Sequence, residues 1–311
     1  MRQLNESFVE KFKKNKLFEL YNKNAELFLG VRDGTINFYY QGASVCKISY
    51  SRGLFTCLIS PKYLSEKGSS QKKISDEEIC KRYKSIVSII NDYSKRNEEK
   101  KAQQELIYKN NANDTSNWYC VDMEYVRKGN AKGGRADIIA VSKNKPHRIA
   151  IIELKYGSSA YGGSKNGSSI LKHVDDFHNI IHEGAFEKYI KKDIVGIVKS
   201  MNLLFPNYPI KICNENEIAD HPDFYFITLN NNDDGKHSTP KMSMGGYLFN
   251  KSNPKNVEYR TKCTSNKTVE SKFGDITDPS NAKIYVNFLF SKDIINHIKI
   301  KDIIDDISYK E

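Results

Sequence analysis

The chain has 311 residues, of which 39% are hydrophobic and 28% are charged, and these proportions are typical of a globular protein with a hydrophobic core. Lysine and arginine outnumber aspartate and glutamate by 49 to 38, and the resulting net charge of +11 favours polyanionic partners such as nucleic acid or an anionic membrane surface. A general bias of composition towards Lys, Asn and Ile produces the same excess of positive charge without any functional meaning. Charge alone therefore does not decide between a polyanionic partner and a compositional bias.

The first 74 residues predict an N-terminal region made of one helix and a small antiparallel β meander. Ser7–Leu27 has the apolar spacing of a helix. Four short apolar or aromatic runs follow, separated by the turn signals Asp33-Gly34, Gln41-Gly42 and Arg52-Gly53. The predicted strands are Leu27–Val31, Ile36–Tyr40, Val45–Tyr50 and Leu54–Ile59. The polar stretch Ser65–Ile74 is predicted to be a loop.

Residues 75–311 predict a second, larger domain, which gives the whole chain an α/β (α+β) fold class. Ser75 is the predicted N-cap of a helix that runs to about Tyr108, with Glu78 as its capping-box partner and a break in the charged segment Lys95–Lys101. The predicted strands are Trp118–Val126, Ala136–Ser142, Arg148–Tyr156, Phe224–Leu229, Gly246–Phe249 and Ile284–Phe290. The predicted helices are Ile170–Ile181, Ala185–Leu204 and an amphipathic C-terminal helix from Lys292 to about Ser308. The Gly/Ser-rich stretch Gly157–Ser169 is predicted to be a loop.

Two of the predicted strands carry charged residues within nearly continuous apolar sequence. Such sequence is typical of strands covered on both faces, where a carboxylate is costly unless it is paired or bound to a metal. Glu153 and Lys155 are two residues apart and therefore project from the same face of their strand. Asp137 lies at the start of the preceding strand. If the two strands form an antiparallel hairpin, Asp137 and Glu153 come together with Lys155 close by.

Two carboxylates that converge at one strand edge form an oxygen-rich site suited to Mg²⁺ or Mn²⁺. Such a metal lowers the pKa of a bound water and stabilises the charge that develops on a phosphodiester. A neighbouring lysine can orient or deprotonate the water, or hold the phosphate. The three residues therefore suit phosphodiester hydrolysis. The structural alternative is a surface ion pair between Glu153 and Lys155, with Asp137 as a turn residue.

This constellation resembles the motif of the PD-(D/E)xK nuclease superfamily, the restriction-endonuclease-like proteins. Its members share an αβββαβ core with the aspartate on the second strand and ExK on the third. Asp137, Glu153 and Lys155 match these positions, and the elements predicted between Asp76 and Leu229 follow the same order. The motif has a proline where this chain has Ala136. The resemblance implies a nuclease dependent on Mg²⁺ or Mn²⁺, in which Asp137 and Glu153 bind the metal and Lys155 orients or activates the water.

The resemblance also implies further metal ligands. One is the backbone carbonyl of Leu154, between the two side chains of ExK. Superfamily members often carry a glutamate on the first core helix, and Glu105 is the best placed candidate. Glu124 is another, because regular alternation along its strand would put it on one face with Cys120 and Asp122 and away from the apolar face. Glu105 and Glu124 as ordinary solvent-facing residues are the alternatives.

Four residues are candidates for nucleic-acid binding. Lys143 lies in the predicted basic turn between the two catalytic strands, and Lys165 lies in the loop that follows ExK. Lys172 and His173 share one face of the next helix with Asp176, and they could contact a phosphate. A solvated polar face is the alternative for that helix, and a plain surface loop is the alternative for Lys165.

The leading hypothesis is therefore a metal-dependent nuclease, with DNA a more expected substrate than RNA because the superfamily mostly cuts DNA. A homodimer is an open alternative to a monomer. The competing hypothesis is a non-catalytic nucleic-acid-binding or protein-interaction module that kept the nuclease fold. A protein that binds anionic lipid is disfavoured, because the sequence has no clearly basic amphipathic helix.

The remaining features of the sequence predict a cytoplasmic protein. Its six cysteines are scattered, without CxxC or zinc spacing, which indicates reduced thiols. The segment Met1–Leu17 is charged and lacks the apolar core of a signal peptide. No stretch approaches the roughly 20 apolar residues that a membrane span needs.

Overall fold

A computed structural model shows that the chain is mixed α/β, with two separate sheets. The structure describes residues 1–95, 97–126, 135–157, 173, 176–177, 179–181 and 183–229, and the backbone of 257–263 and 284–290. The chain divides into two compact units, the first made of residues 1–105 and 192–215 and the second of residues 106–191 and 216–311. The predicted domain boundary between residues 74 and 75 falls inside the first unit.

The first unit contains a five-stranded antiparallel meander whose strands are ordered as in the sequence. Its elements are α1 (Glu6–Lys13), α2 (Lys16–Lys23), β1 (Phe28–Val31), β2 (Ile36–Tyr40), β3 (Ala43–Ser51), β4 (Leu54–Ile59), β5 (Lys72–Ser75) and α3 (Asp76–Ser94). The four predicted strands are confirmed. The predicted helix start is also confirmed, because the Ser75 hydroxyl accepts a hydrogen bond of 3.2 Å from the Glu78 N–H.

The prediction of one helix over Ser7–Leu27 is wrong, because α1 and α2 are separate. The side chain of Asn15 caps α2 by accepting a hydrogen bond of 2.8 Å from the N–H of Leu17. Phe12 and Leu17 are both fully buried. Five residues along one continuous helix turn the side chain by roughly 140°, so a break lets both residues face the same core.

The predicted loop Ser65–Ile74 ends in the short strand β5, which pairs with β4 at the edge of the sheet. Lys72 and Lys73 on this strand are exposed. Charged side chains on a short edge strand are a usual protection against pairing with other chains. Backbone hydrogen bonding to β4, rather than apolar side chains, therefore defines this strand, and the sequence pattern gives no sign of it.

Aromatic rings from α1 pack against the sheet of the first unit. The centroid of the Phe8 ring lies 5.5 Å from that of Phe55, and the centroid of the Phe12 ring lies 6.3 Å from that of Phe38. Tyr21 from α2 stacks on Phe38 at 5.7 Å. Large rings buried in this way contribute most of the energy of a hydrophobic core.

The second unit contains a six-stranded mixed sheet. Its strands are β6 (Trp118–Val126), β7 (Arg135–Ser142), β8 (Ile149–Tyr156), β9 (Asp223–Leu229), β10 (Val257–Cys263) and β11 (Ile284–Phe290), in the spatial order β10-β11-β9-β8-β7-β6. β6, β7 and β8 are antiparallel neighbours, whereas β9 is parallel to β8. Five of the six strands that were predicted for this domain are confirmed, and β10 was not predicted.

Two further α-helices lie within the described residues: α4 (Glu98–Asn111) and α5 (Lys191–Leu204). The break predicted within the charged segment separates α3 from α4, and α5 follows a π-helical turn at Phe186–Ile190. The residues described between 173 and 181 are helical, as predicted. The predicted loop after ExK, the predicted strand Gly246–Phe249 and the predicted C-terminal helix lie outside the described residues.

Strand β6 does not keep the regular alternation that was predicted for it. A bulge interrupts its pairing with β7 between Cys120 and Asp122, and Glu124 has a φ of 52°. A bulge inserts one extra residue and shifts the following side chains to the other face. Cys120 and Asp122 therefore lie on opposite faces of the sheet, both of them buried, and the shared face that was predicted for them is wrong.

Two further features concern the cysteines and the length of the helices. The five cysteines whose side chains the structure describes are not joined in disulfides. None of the helices within the described residues has both the length and the apolar character needed to cross a membrane.

Candidate functional site

The hairpin of β7 and β8 brings Asp137 next to the Glu-x-Lys segment. The strands are antiparallel, with Ile138 opposite Ile152 and the following pairs in step. Asp137 precedes Ile138 and Glu153 follows Ile152, so the same register continued by one residue places Asp137 opposite Glu153. The Asp137 Oδ2 accepts a hydrogen bond of 2.9 Å from the backbone N–H of Leu154. The two acidic residues thus lie at the same end of the hairpin, as the sequence predicts.

Glu153 and Lys155 form a buried ion pair. The Lys155 Nζ lies 2.7 Å from the Glu153 Oε1. The side chain of Glu153 is 3% exposed and that of Lys155 is 6% exposed. Taking each ion out of water costs several kcal/mol, which the attraction between the two ions only partly offsets. The low exposure rules out the alternative of a surface ion pair.

His173 reaches the same carboxylate from the helical segment that follows β8. Its Nε2 lies 3.2 Å from the Glu153 Oε1, and its side chain is 17% exposed. The imidazole packs edge-on against Phe226, with 6.1 Å between the ring centroids. Phe226 is the register partner of Glu153 on β9. His173 therefore faces the interior of the second unit, and the alternative of a solvated polar face is wrong for this residue.

The backbone of Leu154 contributes a second polar group beside Asp137. In a β-strand the N–H and the C=O of one residue point towards the same neighbouring strand. The N–H of Leu154 points to Asp137 on β7, so its carbonyl oxygen is directed to the same side. This direction is the one that a metal ligand between the two carboxylates needs.

β6 contributes a buried carboxylate that was not among the predicted site residues. Asp122 is 0% exposed, and its Oδ1 accepts a hydrogen bond of 2.9 Å from the N–H of Met123. Asp122 lies opposite Ile139, which is two residues from Asp137, so all three share one face of the sheet. The signal that could have found Asp122 is an acidic residue within an apolar strand, the same signal that pointed to Asp137.

The two additional glutamates each have a basic neighbour. Glu124 pairs with the guanidinium of Arg135 at the start of β7. The Glu105 carboxylate lies 3.7 Å from the Lys101 Nζ, one helical turn away on α4. The roles of Glu105 and Glu124 as metal ligands therefore stay predictions.

Of the four residues predicted to bind nucleic acid, the structure describes Lys143 and His173, whereas Lys165 and Lys172 lie outside the described residues. Lys143 is at the turn end of the hairpin, where its Nζ lies 3.4 Å from the carbonyl oxygen of Asp114. Six residues separate it from Asp137, about 20 Å at about 3.3 Å per residue along a strand. A contact made by Lys143 would thus fall on nucleic acid well away from the two carboxylates.

The other basic residues of that turn are held by acidic or backbone groups. Arg148 lies 2.9 Å and 2.8 Å from the Asp223 Oδ2 through its Nε and one of its terminal nitrogens. Lys145 pairs with Glu217. The buried His147 has its Nδ1 2.7 Å from the carbonyl oxygen of Ser142. These contacts give the turn a structural role within the second unit.

Burial also acts on the neighbouring ionisable groups of β6. Loss of hydration raises the pKa of the Cys120 thiol well above its usual range and raises the pKa of Tyr119 to about 12. Both groups are therefore neutral at pH 7 and add no charge beside the carboxylates.

The donor set suits a hard divalent cation. Two carboxylates and one backbone carbonyl are oxygen donors of the kind that Mg²⁺ and Mn²⁺ prefer. Within the described ranges, no group of three or more His, Cys, Asp or Glu side chains is arranged to hold an ion. A metal bound by Asp137 and Glu153 would have to complete its coordination with backbone oxygen and water, as Mg²⁺ commonly does.

Comparison of the chain with protein-family models, with curated proteins and with solved structures finds no match. The function therefore has to be inferred from the chemistry of the site itself.

Proposed function

We propose that this chain is a metal-dependent nuclease of the PD-(D/E)xK type that hydrolyses phosphodiester bonds, with DNA as its substrate. The observation that carries the proposal is the buried arrangement at the end of the β7–β8 hairpin. There the Asp137 carboxylate accepts from the Leu154 N–H, and Lys155 donates to Glu153 over 2.7 Å. Buried charged groups lower stability unless they are well compensated, so their concentration in one place favours a functional role.

The order of the elements supports the proposal. α4, β6, β7, β8 and the helical residues between 173 and 181 follow one another as α, β, β, β, α, and α5 adds a second helix before the last strand, β9. Asp137 is on the second of these strands, and Glu153 and Lys155 are on the third. A restriction-endonuclease-like core has its motif on the same two strands.

The side chains have distinct roles in the proposed reaction. Asp137 and Glu153 would hold Mg²⁺ or Mn²⁺ together with the carbonyl of Leu154. The bound cation would supply a water of lowered pKa and positive charge beside the phosphate. Lys155 offers its ammonium hydrogens to orient that water or to hold a phosphate oxygen. The apolar strands around these residues limit the entry of other water, which strengthens each electrostatic contact.

The test is incubation of the purified chain with plasmid, single-stranded DNA and RNA in the presence of Mg²⁺, Mn²⁺ or EDTA. We expect cleavage that requires the metal and that falls at least about 100-fold in Asp137→Ala and in Lys155→Ala, because each removes a group that acts on the developing charge. The matched control is Asp92→Ala with Lys95→Ala. This pair has the same charges, but its side chains are 74% and 75% exposed. Cleavage that persists in the site variants and falls in the control would show that the site is elsewhere.

One observation favours a second candidate, a non-catalytic nucleic-acid-binding or protein-interaction module. The ion pair between Glu153 and Lys155 is already formed within the chain, so both residues could have a purely structural role. Binding of DNA without metal-dependent cleavage of any substrate in the panel would favour this second candidate.

A further inference from the structure

The carboxylate of Glu153 has two nitrogen neighbours on a single oxygen atom. Lys155 Nζ lies 2.7 Å from Oε1, and His173 Nε2 lies 3.2 Å from the same oxygen. We infer that His173 is a positioning residue that fixes the orientation of Glu153 for metal binding, and that it does not contact the phosphate of the substrate. This inference rests on the proposed nuclease function.

The imidazole of His173 is itself held in place by aromatic packing. Its ring lies edge-on to Phe226, next to Glu153 across the β8–β9 pairing. One helical turn further on, Phe177 stacks on Phe224 with 4.7 Å between ring centroids. Residues four apart lie on one face of a helix, so both aromatic contacts hold the same face of this segment against β9. The position of Nε2 is therefore set by packing rather than by solvent.

The two nitrogen contacts have a geometric consequence for Glu153. A carboxylate that is hydrogen-bonded at one oxygen by Lys155 and closely contacted there by His173, from a different element, is restricted in its rotation about the terminal bond. The direction of its second oxygen, Oε2, is then also set. Groups that hold a metal-binding carboxylate or imidazole in this way typically contribute 10-fold to 100-fold to metal affinity or activity.

The burial of His173 favours this positioning role over a direct contact with nucleic acid. Its side chain is 17% exposed, and its Nε2 is directed to the carboxylate rather than to the protein surface. To act as a donor there, Nε2 must carry a proton, which both the imidazolium and one neutral tautomer allow. A phosphate contact through Nε2 would require this atom to leave Glu153.

Two substitutions of His173 test its N–H donor and its aromatic ring separately. His173→Gln keeps an N–H donor of similar reach and loses the ring, whereas His173→Phe keeps the ring on Phe226 and loses the donor. Binding of Mn²⁺ alone is measured by calorimetry on the full chain without nucleic acid. Binding of a DNA duplex is measured in EDTA, cleavage is measured as kcat and KM, and thermal unfolding checks the fold of each variant.

We expect His173→Phe to weaken Mn²⁺ binding about tenfold and to lower kcat, while His173→Gln stays within about threefold of the unchanged chain. The affinity for DNA in EDTA should be the same in all three proteins. Unchanged Mn²⁺ affinity in His173→Phe would overturn the inference, as would equal losses in the two variants. A loss of DNA affinity with Mn²⁺ binding intact would instead assign His173 to the phosphate. If the unchanged chain binds no Mn²⁺ and Asp137→Ala behaves identically, the proposed function itself fails.

Discussion

The two sheets of this protein differ in where they place charged residues. On β1–β5 the buried side chains are apolar or aromatic, and the lysines Lys47, Lys72 and Lys73 are exposed. In the second unit, three neighbouring strands carry Asp122, Asp137, Glu153 and Lys155 at 0% to 5% exposure. The first sheet follows the usual rule for a stable core, and the second breaks that rule on one face.

The difference supports the proposal that the second sheet carries a functional site. A core built only for stability gains nothing from buried ions, because apolar residues of similar size often stabilise as well or better. Functional sites commonly keep groups that lower stability, because the chemistry needs them. The contrast between the sheets can be tested by substitutions in each.

The largest expected effect is on the first sheet. Phe38 on β2 is fully buried between rings of α1 and α2, so Phe38→Ala should lower the free energy of unfolding of the first unit by about 4 kcal/mol. Leu54 on β4 is 68% exposed, and Leu54→Ala should change it by less than about 0.5 kcal/mol. Urea denaturation measures both. Equal effects of the two substitutions would show that the described core does not stabilise this unit.

The next effect concerns the buried ion pair of the second sheet. Lys155→Met leaves the Glu153 carboxylate buried without its ammonium, and it should destabilise the second unit by about 3 kcal/mol. Combining it with Glu153→Leu removes both charges and should restore most of that stability while cleavage stays abolished. Urea denaturation and the plasmid assay measure the two properties separately. If the double variant is as unstable as Lys155→Met, the pair contributes to stability and the contrast between the sheets weakens.

The smallest expected effect is stabilisation by metal. At about 100 times its dissociation constant, a cation that binds only the folded state adds about 2.7 kcal/mol. Mn²⁺ should therefore raise the midpoint of thermal unfolding by several degrees in the unchanged chain. Asp137→Asn keeps the size of the side chain and loses its charge, so the shift should disappear. Calcium-free buffer with EDTA is the reference, and a shift that survives in Asp137→Asn would place the metal elsewhere.

Most of the strands could be predicted because their side chains alternate or form continuous apolar runs between turn residues. β2, β4, β7 and β8 are examples, and their periodicity is a local property of the sequence. β5 was missed because pairing with β4, rather than its own side chains, makes it a strand. The bulge in β6 was missed because an extra residue leaves the composition unchanged while it reverses the faces. The break between α1 and α2 was missed because Asn15 is also tolerated within a helix.

The same distinction applies to the candidate site. Asp137, Glu153 and Lys155 could be selected from the sequence because charges are unusual inside apolar strands, and the separation of two residues fixes a shared face. His173 could not be given its place, since the packing of its ring on Phe226 joins segments that are far apart in the chain. The burial of Asp122 likewise depends on the bulge and on its pairing with β7.

The sequence by itself determined the succession of strands along the chain around Asp137, Glu153 and Lys155, and the chemical type of these three side chains. Both properties depend only on residues that are close together in the sequence. Only the tertiary structure decided which nitrogens hold the Glu153 carboxylate and how deeply the ion pair is buried. Those properties depend on the register between strands and on a helical segment packed over them, and they arise only when distant residues meet.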